Sequence, residues 1–137
     1  MTVAQPDPDA IRDLMPFAVS LGIELLEVDP DRVRGRLDWT PERTTTADVM
    51  HGGAIMALAD TCGGVCAYLN LPEGAVGTAT IESKTNFLRA VRSGAATATT
   101  RPLHRGQTIF VVETEVTRDD GKLAAKVTQT QVYQYGR

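Results

Sequence analysis

Two hydrophobic rhythms organise this chain. Over 51–72 the run HGGAIMALADTCGGVCAYLNLP places Ile55, Leu58, Ala59, Cys62, Val65, Cys66 and Leu69 at i, i+3, i+4, i+7, i+10, i+11 and i+14. That spacing is one apolar stripe on a helix over 52–70, closed by the breaker Leu71-Pro72-Glu73-Gly74. Elsewhere the period is two. It predicts strands at 23–28 and 32–39, turned at Asp29-Pro30-Asp31, with Val33, Gly35, Leu37 and Trp39 on one face. After the helix, 76–91, 95–103, 108–118 and 122–135 read as four more strands. In the third of these Phe110, Val112, Thr114 and Val116 face one way, while Glu113 and Glu115 make the other side at least partly wet. Asp119-Asp120-Gly121 is the strongest hairpin turn. Residues 1–8 read as a loose arm, followed by a short helix through Ile11, Leu14, Met15 and Phe17 that Gly22 ends. The segment 40–50 has turn formers and no periodicity, and a loop of that length before a buried helix is often functional. The class is α+β: an antiparallel sheet of about six strands and one long central helix.

The far side of that helix needs an explanation. Among the 22 residues of 51–72 the one formal charge is Asp60, nearly opposite the middle of the stripe at about 100° per residue. Its neighbours there are Gly53, Met56, Ala57, Gly64 and Ala67. A solvated face would carry more charges, so this one is expected to be covered by a second copy of the chain, giving a homodimer. A carboxylate at such a contact costs on the order of several kcal/mol unless it is paired, hydrogen-bonded or protonated. That marks Asp60 as a functional acid.

His51-Gly52-Gly53 opens the same helix, leaving the Gly52 and Gly53 amides as unsatisfied donors at the positive end of its dipole. Glycine admits a ligand close to the backbone, and such an amide can serve as an oxyanion donor. The plainer alternative is a tight turn and nothing more. Gly52 and Asp60 are eight residues apart, roughly 12 Å along one helix. A reacting carbonyl must lie within about 3–3.5 Å of both. One helix cannot supply that. If both act on one substrate, Gly52 belongs to one subunit and Asp60 to the other.

Composition narrows the field further. A chain of 137 residues with 42% hydrophobic and 23% charged content is one globular domain by length. The net charge of −3 and the lack of a Lys/Arg cluster weigh against nucleic acid as a partner. No secretory leader is read at the N-terminus, and four glycines with Asp60 argue against a membrane span at 51–72. Cys62 and Cys66, four apart on the core stripe, suit buried thiols of a reducing compartment, so a cytoplasmic location is expected. There is no nucleophile elbow among Ser20, Ser83 and Ser93, no dinucleotide fingerprint, and no zinc spacing among the two cysteines, His51 and His104. No metal and no cofactor are expected. What remains is acid/base or nucleophilic chemistry by one carboxylate, helped by backbone amides.

The element order, His51-Gly52-Gly53 followed by Leu58-Ala59-Asp60, and the long strand ending Phe87-Leu88-Arg89-Ala90 resemble the hotdog-fold acyl-CoA thioesterases. The nearest group is the phenylacetate-pathway (PaaI-like) one, related to 4-hydroxybenzoyl-CoA thioesterase. The resemblance spans roughly 21–133, so 1–20 reads as an arm with a short helix and 21–137 as the hotdog domain. It implies a sheet wrapped around the helix, dimers pairing into a homotetramer, and hydrolysis of an aryl-acyl or medium-chain acyl-CoA. By position it implies that Gly52 donates its amide to the thioester carbonyl and that Asp60 is nucleophile or general base. His51 would orient the loop and assist polarisation, and Thr80, in Thr78-Ala79-Thr80-Ile81, would help hold the water or the acid. Gly53 and Met56 would line the substrate. Where the family often has Asn or Gln, seven residues before Gly52, this chain has Thr45. CoA also carries phosphates, for which Arg89, Arg92 and Arg105 are candidates because arginine suits bidentate phosphate contact. The competing classes are a hotdog-fold hydratase or dehydratase and a non-enzymatic acyl-CoA-binding protein.

Overall fold

Two prolines decide how the chain begins. The computed structural model describes residues 6–136, so residues 1–5 of the expected arm lie outside the described residues. Helix α1 (Pro8–Asp13) is capped by Asp7, whose carboxylate accepts the Asp9 N–H at 3.1 Å. The single helix expected through Phe17 is instead broken after Asp13, and α2 (Pro16–Leu21) starts afresh. Pro16 has no N–H to continue a helix and restricts the residue before it, but it starts a new helix well. Gly22 ends α2 in the left-handed region, at φ 89°.

The chain then forms β1 (Glu24–Asp29), β2 (Arg32–Asp38), the central helix α3 (Gly52–Leu69), β3 (Ala75–Phe87), β4 (Ala95–Arg105), β5 (Ile109–Thr117) and β6 (Leu123–Tyr135). The six strands make one sheet in the order β1-β2-β4-β5-β6-β3, antiparallel at every pairing. The sheet wraps α3, which is the hotdog arrangement. Leu58, Ala59, Cys62 and Cys66 are fully buried against it, with Ile55 and Val65 nearly so. By length and composition α3 could cross a membrane, yet half of it is buried in this core. The inward set of β5 (Phe110, Val112, Thr114, Val116) is also fully buried, and the Thr114 hydroxyl pairs with that of Thr100 at 2.7 Å.

Three details bear on the helix's far face. Ala67 is fully buried, because Tyr133 from β6 reaches it: its hydroxyl donates to the Ala67 and Asn70 carbonyls at 3.1 Å each. Ile11 and Met15 of the N-terminal segment pack against the core and share a cleft with Gly64 and Val65. The small residues at that end therefore serve packing within the chain. Gly53, Met56 and Asp60 stay exposed.

β3 lies at the edge of the sheet and ends at Phe87, four residues short of expectation. The Leu88 and Arg89 amides both converge on the Ala124 carbonyl, at 2.8 and 3.1 Å, which pulls the chain out of the ladder. The β3–β6 register also shifts at Ile81, between the pairs Thr80–Gln131 and Glu82–Thr130. This bulge resets the alternation. Thr78 and Thr80 face the helix before it, and Ser83, Thr85 and Phe87 lie opposite the inward residues Gln129, Val127 and Ala125 after it.

Gly35 on β2 sets how closely α3 can approach. A Cβ there would meet Cys62 Sγ at 2.7 Å and Leu58 Cδ1 at 3.2 Å. Gly35→Val should therefore cost about 2 kcal/mol through overpacking, read as a lowered urea midpoint with an unchanged m-value.

Candidate active site

Asp60 leaves α3 towards β3 and does not stand alone. Thr80 donates its hydroxyl to Asp60 Oδ1 at 2.8 Å, and the Gln129 side-chain amide donates to the same oxygen. Gln129 also donates to Thr80 Oγ1 at 3.0 Å, and Gln131 does so at 2.6 Å. Thr78 closes the series by donating to Gln131 Oε1 at 3.0 Å. Both glutamines are buried on the inward face of β6. Sequence reasoning missed them, although polar residues at two successive inward positions, between Val127 and Tyr133, break the apolar alternation and are a legible signal. Asp60 itself lines an open cleft of about 270 Å³ with Met15, Phe17, Gly64, Thr78 and Thr80.

The front of α3 divides its donors. His51 is the N-cap, and its Nδ1 accepts the Gly53 N–H at 2.8 Å. Of the two amides expected to be open, the Gly53 one is therefore consumed. The Gly52 N–H has no partner among the described residues. An accepting Nδ1 places the imidazole proton on Nε2. His51 is held in turn by Arg43, whose carbonyl accepts the His51 N–H at 2.8 Å. The Arg43 guanidinium donates to the Leu21 and Asp38 carbonyls at 2.8 and 2.9 Å, tying α2, β2 and the helix start together.

Gly52 opens onto a different cleft, of about 340 Å³, lined by Thr45, Ile55, Phe87, Leu88 and Arg89. A Cβ at Gly52 would meet the Phe87 ring at 3.1 Å, so glycine is what keeps that amide reachable. Thr45 is brought here by a tight loop in which Ala47 and Asp48 both take left-handed conformations, φ 60° and 59°. Trp39 and Arg92 pin that loop by donating to the Asp48 and Ala47 carbonyls at 2.9 and 3.0 Å. No lining residue is common to the Gly52 and Asp60 clefts. His51 sits in a third, with Phe17, Arg43 and Gly53, and Met56 lines none of the three.

The three candidate arginines part company. Arg89 borders the Gly52 cleft, with one nitrogen donated to the Leu123 carbonyl at 2.8 Å. Arg92 supports the loop beside it. Arg105 is at the other end of α3, paired with Asp31 and donating to Asn70 Oδ1 at 3.0 Å. The 18 residues of α3 span about 27 Å, so Arg105 is withdrawn from the mouth of the Gly52 cleft and serves to tie the β1–β2 turn to the helix end.

Cys62 and Cys66 are free and buried. Burial pushes both thiols up to about 12, far above the range in which a thiolate forms at neutral pH. The chemistry left to the site is a carboxylate held by two direct donors, Thr80 and Gln129, and an unpaired amide at a helix start, on a sheet wrapped around that helix. This is the class of the hotdog-fold thioester hydrolases. The chain belongs to the thioesterase superfamily, whose sequence profile matches residues 47–125. A Mycobacterium tuberculosis protein with a provisional esterase name is 30% identical over 127 residues, covering 89% of this chain and 91% of its own. The crystal structure of a Gln-to-Ala variant of a Pseudomonas aeruginosa thioesterase superposes with a TM-score of 0.90 at 25% identity, covering 97% of both chains. The 1,4-dihydroxy-2-naphthoyl-CoA hydrolase of Escherichia coli is 33% identical over 75 residues, 55% of this chain and 54% of its own.

Ellman's reagent at pH 8 should titrate neither cysteine in the native protein and both after denaturation. A fast-reacting thiol in the native state would return cysteine to the list of nucleophiles.

Proposed function

We propose that this protein hydrolyses acyl-CoA thioesters, of aryl-acyl or medium-chain type, at a site shared between two copies of the chain in the cytoplasm. The observation that carries the reading is the separation of its two reactive groups. The Gly52 amide and the Asp60 carboxylate sit on one rigid helix, about 12 Å apart, and open to clefts with no common wall. The edge strand supports the second copy. β3 offers 13 residues with one ladder unpaired, and Val76, Ile81 and Phe87 are exposed along it. A long unpaired edge of that kind invites pairing. Two chains joined antiparallel along β3 would lay their central helices side by side in opposite directions, which is the arrangement that sets Gly52 of one against Asp60 of the other. Pairing of such dimers into a tetramer belongs to the same proposal, as does the compartment, which the two free cysteines suit.

In this reading the thioester oxygen accepts the Gly52 N–H, whose place at the helix start favours developing negative charge. Asp60 either takes a proton from water, which then attacks the carbonyl carbon, or attacks that carbon itself to give a mixed anhydride, which water then cleaves to the free acid and the regenerated carboxylate. In both routes the C–S bond breaks, the CoA sulfur leaves as thiolate and takes up a proton, and water supplies the oxygen of the free acid. Arg89 stands where a CoA phosphate could be met. The resemblance to acyl-CoA thioesterases and the naphthoyl-CoA hydrolase among the relatives support the substrate class. Nothing in the clefts favours a hydratase over this reading.

Release of free thiol across a panel of aryl and straight-chain acyl-CoAs tests class and substrate together. Asp60→Asn should lower turnover by a factor of about 100 or more with the fold intact, and a fully active variant would remove Asp60 from the chemistry. Mixing inactive Gly52→Val and Asp60→Asn chains should restore part of the activity. Continued inactivity after subunit exchange has been demonstrated, or a monomer at micromolar concentration, would count against the shared site.

A further inference from the structure

We infer that Gln129 and Gln131 are positioning residues that make the two oxygens of Asp60 unequal, committing Oδ1 to the protein and leaving Oδ2 as the oxygen that reacts. This deepens the proposed function and rests on its reading of Asp60 as the reacting acid.

The hydrogen-bond capacity at this site can be counted. A threonine hydroxyl has one proton to give and two lone pairs to fill. At Thr80 both lone pairs are taken, by the Gln129 and Gln131 amides at 3.0 and 2.6 Å. Its one proton must therefore point at its remaining partner, Asp60 Oδ1, 2.8 Å away. Thr80 is full. It has no capacity left for a water or a substrate, so of the two roles the resemblance allows it, holding the water or holding the acid, it has only the second.

Gln129 is filled in the same way on its donor side. Its side-chain nitrogen donates to both Asp60 Oδ1 and Thr80 Oγ1. Its Oε1 is buried with no hydrogen-bond partner among the described residues. Flipping would set that oxygen against the Asp60 carboxylate, so the acid itself fixes the orientation. The oxygen is turned instead towards α3 at Gly63, where a Cβ would lie 1.9 Å from it. Only glycine at 63 leaves room for the amide to reach Asp60 from below. Thr78, donating to Gln131 Oε1 at 3.0 Å, fixes the second amide the same way round.

The donors thus run in one direction, Thr78 to Gln131 to Thr80 to Asp60, with Gln129 arriving alongside. All of it ends on Oδ1. Oδ2 has no partner among the described residues, and Asp60 lines the open cleft. Whether Asp60 attacks the thioester or deprotonates water, the oxygen with free lone pairs is Oδ2, and its direction is set by two buried amides, of which Gln131 borders the cleft beside Thr80 and Gln129 lies behind its wall.

The test compares Gln129→Met, Gln131→Met, Thr80→Val and Asp60→Asn by thiol release with the acyl-CoA the wild type turns over fastest. Melting temperature checks each fold. Methionine keeps the volume of glutamine and removes its donors. Gln129→Met should lower kcat by about 10-fold or more with KM within about twofold, because no substrate contact is lost. Gln131→Met, which leaves Thr80 one of its two donors, should lower kcat by about threefold. Combining Gln129→Met with Thr80→Val should cost less than the product of the two single losses, since both act on one oxygen. A purely structural role would lower the melting temperature and leave kcat unchanged at the assay temperature, and that result overturns the inference. Gln129→Met at wild-type kcat beside an inactive Asp60→Asn overturns it alone. An active Asp60→Asn overturns the reading of Asp60, and this inference falls with it. Should Gln129→Met fail to fold, Gln131→Met decides: an unchanged kcat overturns the inference.

Discussion

The helix that fills this sheet carries one carboxylate, and donors are brought to it from two strands. Asp60 is held by one threonine from the edge strand and one amide from the last strand, with a second amide behind the threonine. Much of the fold's irregularity is explained by that arrangement. The bulge at Ile81 lets β3 turn both Thr80 and the later residues Ser83, Thr85 and Phe87 towards the helix side. Gly63 is where α3 makes room for Gln129. Inward glutamines replace the apolar residues that the alternation of β6 would otherwise place there.

The front of the helix obeys a complementary rule. The first amides of a helix have no partner within it, and this chain satisfies one of its two glycine amides and leaves the other open. His51 takes the Gly53 N–H, which costs the site a donor but fixes the turn and the imidazole together. Keeping Gly52 open needs a loop that folds close without covering it. That loop places Ala47 and Asp48 in left-handed conformations, each costing on the order of 1–2 kcal/mol. Strain of that size persists only where the surroundings hold it, and the hydrogen bonds from Trp39 and Arg92 do so.

What could be read from the sequence followed from period and turn chemistry. The helical stripe, the two Asp-containing turns and the inward set of β5 are local properties, and each lies where its spacing places it. What could not be read depends on which strand meets which. Nothing in Gln129-Thr130-Gln131 says that its neighbour is the edge strand carrying Thr80, 49 and 51 residues earlier. A one-residue bulge is invisible to a period-two reading, because it changes the face of everything after it. Arg105, the last residue of β4, shows the same limit: β4 and β3 end at opposite ends of α3, which sequence order does not reveal. Pro16 was a local signal and was legible, and it overrides the helical spacing of Ile11 and Phe17.

The rigidity of α3 links these features. Eighteen residues of continuous helix fix the rise between Gly52 and Asp60, and neither group can lean towards the other by more than a side chain's reach. Asp60 is further immobilised by its donors, and the Gly52 amide is backbone. On the shared-site proposal, the distance from acid to oxyanion donor is then set by how two helices dock, not by motion within one chain. A small change in how the β3 edges pair would alter that distance directly. Subunit association and catalytic geometry become one variable. On that proposal, the same spacing that separates the two groups within one chain would make a site between two chains sensitive to residues along the edge strand that touch no substrate.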